Sequence, residues 1–420
     1  MFQTSTLPNG LRVVSALLPH ARSVSSSLFH GVGSRHEQSG QYGIAHYVEH
    51  MLFKGTRRRP TPRDVSVAIE QLGGILNAET GKEVTVYWTK LAAEHWKIGL
   101  DLICDLTLES TFDTREVEKE RAVILEEIAM LFDSPADLIH LLIDEVTWPG
   151  HPLGRDIAGD RETLLGIRQP DLVEFARSAY APHNAVVAVC GPVTHEAIVD
   201  EVARLYREWR PRPGPQLPTA TCQTKTDRVL LRTQQTEQAH LCLSCPGVSY
   251  FSGDRFAFDL LNVILGEGMS SRLFVQIREI LGLAYDVHTY VKRFRDTGAL
   301  VIYAGVEPIR AEQALVAVLD ELRAIARSVP EEEIRRAKEF WKGRLTLRME
   351  DTGSLASWSG SQEILLGHVQ PIDDLIRRID AVTPSDLARV AAHALDISAL
   401  DLAIIGPFTS PDPFVRILSG

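Results

Sequence analysis

The chain has 420 residues, of which 45% are apolar and 24% charged, a balance typical of a globular protein with two or three domains. The formal net charge of −11 argues against nucleic acid as a partner, and no apolar run approaches the roughly 18 residues of a membrane span. We expect no secretory signal, because the first residues lack a basic segment followed by an apolar one, and five cysteines in so long a chain indicate reduced thiols, so we expect a cytoplasmic protein.

Apolar periodicity and turn residues in the first half predict a succession of strands and helices. Asn9-Gly10 marks a tight turn between two short strands, and Gly73-Gly74 ends a helix. In chain order we predict a strand over 23–32 with small polar residues on one side, helices over 42–53 and 64–72, strands over 75–78 and 84–89, helices over 93–109, 113–132 and 170–180, and a strand over 185–190.

The second half of the chain repeats features of the first at a nearly constant offset. A helix that opens at Asp171 leads to a strand that ends in Gly-Pro at Gly191. A helix that opens at Asp386 leads to a strand that ends in Gly-Pro at Gly406, so that both features are 215 positions apart. A stable offset of this size predicts two copies of one unit of about 200 residues.

The repeat defines the expected domains and fold class. We predict an α+β protein in which each repeat is a β-sheet flanked by helices, an α/β roll, and in which a pseudo two-fold axis relates the repeats. The first repeat is placed at 1–206 and the second at 228–420. Closely spaced prolines between them predict a semi-rigid linker at 207–227.

The clearest chemical signal is the pentapeptide His-Tyr-Val-Glu-His, which falls on the predicted helix 42–53. At about 100° per residue, His50 lies roughly 40° from His46, and Glu49 roughly 60° to the other side. Two imidazoles four residues apart can bind one zinc ion, and the carboxylate between them is placed to hold a water. This arrangement can hydrolyse a peptide bond, because the metal acidifies the water and the carboxylate takes its proton.

A catalytic zinc site needs a third protein ligand, which we seek on the glutamate-rich helix 113–132. Glu120 and Glu127 are seven residues apart and therefore lie within about 20° of each other on that helix. Glu126 points about 100° away from Glu127. Geometry alone does not choose between Glu120 and Glu127, and an isolated glutamate on such a helix is more often solvated surface charge.

The second repeat tests whether the histidines serve only the fold. When the repeats are matched by eye, His46, Glu49 and His50 correspond to Ala257, Leu260 and Leu261, in that order. Residues 228–420 contain no second His-x-x-Glu-His. The sequence therefore predicts metal chemistry in one copy alone.

Several motifs together resemble the pitrilysin, or insulinase, family of zinc peptidases, which includes insulin-degrading enzyme and the mitochondrial processing peptidases. The motifs cover nearly the whole chain: LPNGLRVV, HYVEHMLFKGT, GGILNAET, ERAVILEEIAM, HPLGRDIAG, the repeated Gly-Pro strand ends, and GMSSRLFVQIREILGLAYDV. The resemblance implies that His46, His50 and Glu127 bind zinc and that Glu49 is the general base. It also implies that Glu120 lies close to the site and orients a histidine ligand.

The resemblance implies further site residues in both repeats. One edge strand is expected to take up substrate as an added β-strand, and it comprises Gly74, Ile75, Leu76, Asn77 and Ala78. In the second repeat, Arg278 and Tyr285 match family residues that reach the active site, where they would hydrogen-bond a substrate carbonyl or oxyanion. Ile280 departs from the family pattern, because relatives often carry a basic residue there.

We therefore expect a zinc endopeptidase that holds one Zn²⁺ per chain and acts on peptides or unfolded segments. Its partners are expected to be peptide substrates, with a preference for basic ones, and a second copy of the chain in a homodimer, with neither nucleic acid nor a membrane involved. Two alternatives stay open: an inactive structural or regulatory subunit of the same fold, and a metal-dependent hydrolase of another bond.

Overall fold

The computed structural model describes residues 2–212, 214, 216–220 and 228–419. Part of the predicted linker, namely Pro213, Pro215 and 221–227, lies outside the described residues. None of the described helices combines the length and the apolar character needed to cross a membrane. The chain forms two compact units, the first comprising Met1–Ala129, Asp156–Pro218 and Thr346–Pro371, and the second Met130–Arg155, Thr219–Leu345 and Ile372–Gly420.

The first unit contains a six-stranded sheet. Its strands are β1 (Phe2–Thr6), β2 (Arg12–Leu17), β3 (Ser23–His30), β4 (Ile75–Thr80), β5 (Thr85–Ala92) and β6 (Ala185–Gly191). Their spatial order is β1-β2-β6-β3-β5-β4, in which β2 and β6 are parallel and all other neighbours are antiparallel. Consequently β4 lies at one edge of the sheet.

Helices cover one face of this sheet and enclose the main core. The first half of the chain contains α1 (Ile44–Leu52), α2 (Pro62–Glu70), α3 (Trp96–Glu109), α4 (Thr114–Asp133), α5 (Pro135–Thr147), α6 (Arg161–Gly166), α7 (Gln169–Ala179) and α8 (His195–Leu205), of which α5 belongs to the second unit. The core joins apolar residues of the strands to those of α1, α3, α7 and α8, including Leu28, Tyr47 and Leu172. The helix predicted over 42–53 is thus α1.

The second unit contains a five-stranded sheet whose strands correspond to five of the six strands of the first sheet. Its strands are β7 (Val229–Thr233), β8 (Ala239–Pro246), β9 (Ala284–Arg293), β10 (Gly298–Val306) and β11 (Asp401–Gly406). The order β7-β11-β8-β10-β9 matches β2-β6-β3-β5-β4, and each pair of neighbours has the same relative direction as in the first sheet. The predicted α+β fold with two copies of one sheet-and-helix unit is confirmed.

The remaining helices lie in the second half of the chain. They are α9 (Arg255–Gly266), α10 (Ala311–Arg327), α11 (Glu331–Arg348), α12 (Thr352–Leu366), α13 (Ile372–Ala381), α14 (Pro384–Ala394) and α15 (Asp412–Ser419). A π-helical segment, Phe274–Ile280, precedes β9.

Each compact unit contains a helix from the opposite half of the chain. In the first unit, α12 packs on β3 and β6, on the face opposite the main core. In the second unit, α5 packs on β8 and β11, where Ile139 and Leu142 meet Cys242 and Ile405. The compact units therefore cut across the predicted halves of the chain.

The helix α12 explains an unexpected feature of β3. The sequence predicted small polar residues on one side of this strand, but Ser25, Ser26 and Ser27 are all buried. The Ser25 hydroxyl lies 3.0 Å from Thr352 Oγ1 on α12. Gly360 lies so close to Phe29 that a Cβ on it would fall 2.0 Å from the ring. Small residues on both elements thus permit close packing of a helix on a serine-rich strand.

Candidate metal centre

The helix α1 is fixed at its N-terminus by a buried carboxylate. Gly43, the N-cap, has a positive φ of 91°, which favours glycine. Glu37 accepts hydrogen bonds from the backbone N–H groups of Gly43 at 3.0 Å and Ala45 at 2.9 Å. A negative charge at a helix N-terminus is stabilising, because it meets unpaired N–H groups and the positive end of the helix dipole.

One face of α1 is buried and the other carries the candidate ligands. Tyr47, Val48 and Met51 point into the core. His46 and His50 are only partly buried, as the spacing of four predicted. Their Nε2 atoms lie 3.2 Å apart.

A third donor completes the group. Glu127 Oε2 lies 3.6 Å from His50 Nε2 and 3.9 Å from His46 Nε2. Two ligands bound to one tetrahedral zinc ion are about 3.3 Å apart, as Zn–N distances of about 2.0–2.1 Å require. Two nitrogens and one carboxylate oxygen form a typical catalytic zinc set, so these residues fit the ion. Within the part of the chain that the structure describes, no other group of three such side chains converges in this way.

The protonation state of His46 also suits a metal ligand. Burial, with the neighbouring His50, lowers the pKa of His46 to about 4. Its imidazole is therefore neutral near pH 7, the form that binds a metal.

Glu120 contacts the opposite side of the His50 ring. Its Oε2 lies 3.1 Å from His50 Nδ1, and its Oε1 accepts a hydrogen bond from Lys54 Nζ at 2.8 Å. Burial raises the pKa of Glu120, but the hydrogen bonds from His50 and Lys54 outweigh it and the net pKa is lowered. An ionised Glu120 holds the proton of His50 on Nδ1 and leaves Nε2 free to bind a metal.

Glu49 lies beside these ligands and has a partner on the edge strand. The Thr80 hydroxyl donates a hydrogen bond to Glu49 Oε2. Burial raises the pKa of Glu49, although the Thr80 hydrogen bond acts in the opposite direction. A carboxylate with a raised pKa is a better proton acceptor, which suits a general base.

Two contributors were missed by sequence reasoning. Lys54 lies two residues beyond the end of α1 and outside the predicted helix 42–53, so helical spacing did not point to it. Thr80 follows the predicted edge strand 74–78 by two residues, so strand periodicity places it on the same face as Ala78.

The predicted substrate strand lies where an added strand could pair. Among the described strands, β4 pairs with β5 alone. Ile75, Asn77 and Glu79 are exposed and alternate with the more buried Leu76 and Ala78. Gly74 lies just before the strand and packs against Leu91, where a Cβ would come within 2.2 Å of the leucine side chain.

Arg278 and Tyr285 lie in the second unit and contact each other. The Arg278 guanidinium lies 4.6 Å from the centre of the Tyr285 ring. Tyr285 is 75% exposed, which is unusual for a tyrosine. Their action at the metal centre stays a prediction.

The counterpart of α1 in the second unit has no such chemistry. Ala257, Leu260 and Leu261, on α9, are all buried. The helix that follows the second strand of this repeat therefore serves the core.

Comparison with protein families gives two matches. The model for Insulinase (Peptidase family M16) matches residues 12–161. The model for the Peptidase M16 inactive domain matches residues 167–340. The first match contains His46, His50 and Glu127, whereas the second begins within the first repeat and extends into the second.

Individual relatives match over almost the full chain. An uncharacterized zinc protease of Streptomyces coelicolor is 38% identical over 410 residues, which cover 96% of this chain and 89% of the relative. The uncharacterized zinc protease YmxG of Bacillus subtilis is 36% identical over 412 residues, covering 97% and 98%.

Solved structures share the fold at lower identity. A structure described as a protease from Helicobacter pylori superposes with a TM-score of 0.91 at 22% identity, covering 97% of this chain and 99% of the other. A peptidase M16 inactive domain from Pseudomonas fluorescens superposes with a TM-score of 0.90 at 19% identity, with the same coverage.

Proposed function

Because the chain belongs to the insulinase (M16) family of peptidases, we propose that it is a zinc-dependent endopeptidase that hydrolyses peptides or extended, unfolded segments. The observation that carries the proposal is the convergence of His46, His50 and Glu127, with the carboxylate of Glu49 close enough to interact electrostatically with His50 and Glu127. One zinc ion per chain fits this group.

The residues of the site have different roles in the proposed reaction. Zinc held by His46, His50 and Glu127 would supply a Lewis acid that acidifies water and polarises the substrate carbonyl. Glu49 takes a proton from the attacking water and passes it to the departing amine nitrogen, so that the carboxylate is regenerated. Glu120 keeps the imidazole of His50 in the orientation and tautomer that bind the metal.

The edge strand supports a preference for extended substrates. An unpaired strand edge offers N–H and C=O groups that bind a peptide backbone while tolerating many side chains. In the proposed complex a substrate segment pairs with β4, which ends beside Glu49. Folded proteins would be poor substrates, because they offer no free strand.

Partners and location belong to the same proposal. The net charge of −11 favours basic peptides, and electrostatic attraction would speed their association at low salt. Arg278 and Tyr285 would hydrogen-bond a substrate carbonyl or the developing oxyanion. The working form would be a cytoplasmic homodimer.

Turnover of a mixed peptide library tests the proposal. The zinc-loaded protein should cleave peptide bonds, a chelator should abolish cleavage, and restored zinc should recover it. Glu49→Gln should keep its zinc yet lose kcat by several orders of magnitude, since the base is not a ligand. The nearby exposed Glu126→Gln serves as control and should stay active.

The alternatives give different results. An inactive subunit would bind zinc and cleave no peptide. A hydrolase of another bond would leave peptides intact but turn over ester or amide substrates in a zinc-dependent way. An active Glu49→Gln would contradict the assigned base.

A further inference from the structure

Thr80 joins the edge strand to the proposed general base. It is the last residue of β4, its side chain is buried, and its hydroxyl donates to Glu49 Oε2. We propose that Thr80 is a positioning residue that holds one oxygen of Glu49 in place and leaves the other to receive the proton from water. This inference rests on the proposed function.

The hairpin that carries Thr80 is anchored to the segment that leads into α1. The Ser34 N–H donates to Gly81 O at 3.1 Å, and the Arg35 N–H donates to Lys82 O at 2.8 Å. Arg35 also forms a buried ion pair with Glu83, with an N–O distance of 2.6 Å. These contacts fix the turn between β4 and β5 immediately after Thr80.

The same segment is tied to the helix that carries Glu49. Glu37 follows Arg35 by two residues and accepts hydrogen bonds from the N-terminus of α1. Gly33, the residue before Ser34, has no room for a side chain, because a Cβ would lie 2.2 Å from Gly81 O. Both ends of the hydrogen bond between Thr80 and Glu49 are therefore held by one rigid frame, as preorganised catalytic groups require.

This frame also sets the register between substrate and base. A peptide that pairs with β4 is aligned by the backbone of 75–80, and the side chain at the end of that strand holds Glu49. A shift of the carboxylate by about 1 Å would lower the rate about 100-fold, because the proton acceptor would no longer meet the water. Thr80 thus acts on kcat, through Glu49, more than on peptide binding.

Three variants test the role of the hydroxyl. Thr80→Val removes the donor and keeps the shape, Thr80→Ser keeps the donor, and Thr85→Val is the matched control. Thr85 is the cross-strand neighbour of Thr80, is fully buried, and donates to Val32 O at 2.9 Å. For each variant we would measure kcat and KM on one extended peptide, zinc per chain, and the midpoint of thermal unfolding.

The expected pattern separates positioning from packing. Thr80→Val should lose about 10- to 100-fold in kcat, with KM within about threefold of wild type and zinc retained. Thr80→Ser should recover most of kcat. Thr85→Val should lower the unfolding midpoint but leave kcat within about threefold, since its hydroxyl does not contact Glu49.

The remaining outcomes overturn the inference. It fails if Thr80→Val keeps the wild-type kcat, if Thr80→Ser is as impaired as Thr80→Val, or if Thr85→Val loses as much kcat as Thr80→Val. An active wild type with any of these results overturns only the role of Thr80. A wild type without zinc-dependent peptide cleavage overturns the proposed function, and this inference with it.

Discussion

Glu120 and Glu127 lie on one side of α4, yet they contact different atoms of His50. Their spacing of seven residues predicted the shared side but left the choice of metal ligand open. The structure separates them, because Glu127 approaches Nε2 and Glu120 approaches Nδ1. This distinction depends on where α4 lies along α1, which residue spacing within one helix does not reveal.

The two glutamates should affect zinc affinity to different degrees. Glu120→Gln should weaken zinc binding about 10- to 100-fold, as is typical for partners of a ligating histidine. Glu127→Gln should weaken it more, because a ligand is lost, and His50→Ala should act in the same direction. Competition with a chelator of known affinity measures these changes. Glu126→Gln, one residue away and exposed, should bind as wild type, and equal binding by Glu127→Gln would contradict the ligand set.

His30 should make the protein sensitive to acid. Its ring is fully buried and stacks on Tyr180 with ring centres 3.8 Å apart, and burial lowers its pKa to about 3. In the unfolded chain a histidine has a pKa of about 6.5 and binds a proton more readily. The stability due to neutral His30 is therefore present above about pH 6.5 and is lost as pH falls toward about 3.

Replacing His30 by phenylalanine should reduce this dependence. Between pH 6 and pH 4, one such proton lowers the free energy of unfolding by about 1.4 kcal/mol per pH unit. Urea unfolding in the presence of chelator, repeated across this pH range, measures how the free energy of unfolding changes with pH. For His30→Phe this change should be smaller by about 1.4 kcal/mol per pH unit. The exposed His20→Gln should leave the slope unchanged, whereas an equal slope for His30→Phe and wild type would refute the role of His30.

At the scale of elements, the sequence predicts the helices and strands whose apolar periodicity and turn residues lie within the element itself. The helix α1, the strand β4 and the glutamate-rich α4 lie close to the predicted ranges. By contrast, α5 and α12 were not predicted. In α12 the sequence TGSLASWSGSQEILL has no apolar stripe, because small residues rather than large ones meet β3. A strand more than 300 residues away determines which face of this helix is buried.

The edge strand should also contribute to substrate selection. Glu79 is exposed on β4, next to Thr80, and side chains of an added strand would lie beside it on the same face. A basic substrate residue at that position would pair with Glu79, whereas an acidic one would be repelled.

Charge reversal at Glu79 tests this expectation. Glu79→Lys should lower kcat/KM for the matching basic peptide about two- to fivefold and raise it for an acidic one, as expected for one cross-strand charge pair. Matched peptides assayed at low and high salt measure the effect, which should weaken as salt rises. Glu70→Lys makes the same change in an exposed residue of α2. Equal effects of the two substitutions would assign the preference to overall charge.

At the scale of the whole molecule, one chain carries two sheets that share the order of five strands, and among the described residues a candidate metal centre lies in the first unit alone. It also carries Arg278 and Tyr285, so that it should need no distinct partner chain. We expect the active protein to have the mass of a homodimer when measured by light scattering. An active monomer, or activity only after a different protein is added, would contradict this expectation.

The helix from the opposite half of the chain should be essential to the first unit. Gly360→Ala places a methyl group against the buried ring of Phe29 and should lower the free energy of unfolding by about 1–3 kcal/mol through overpacking. Thermal or urea unfolding measures this loss. Gly343 lies in α11 with open space around its Cα, so Gly343→Ala should be neutral or stabilising by up to about 1 kcal/mol. Equal effects of the two substitutions would exclude tight packing at Gly360.

The position of α12 has a consequence for synthesis on the ribosome. The strand β3 is synthesised early, whereas α12 (Thr352–Leu366), which covers one of its faces, is synthesised more than 300 residues later. At a synthesis rate of about 5–20 residues per second, this face of β3 stays without its packing partner α12 for on the order of tens of seconds. Ser25 and Ser27, which alternate onto this face, keep the exposed surface compatible with water, whereas an apolar strand would favour aggregation of the nascent chain.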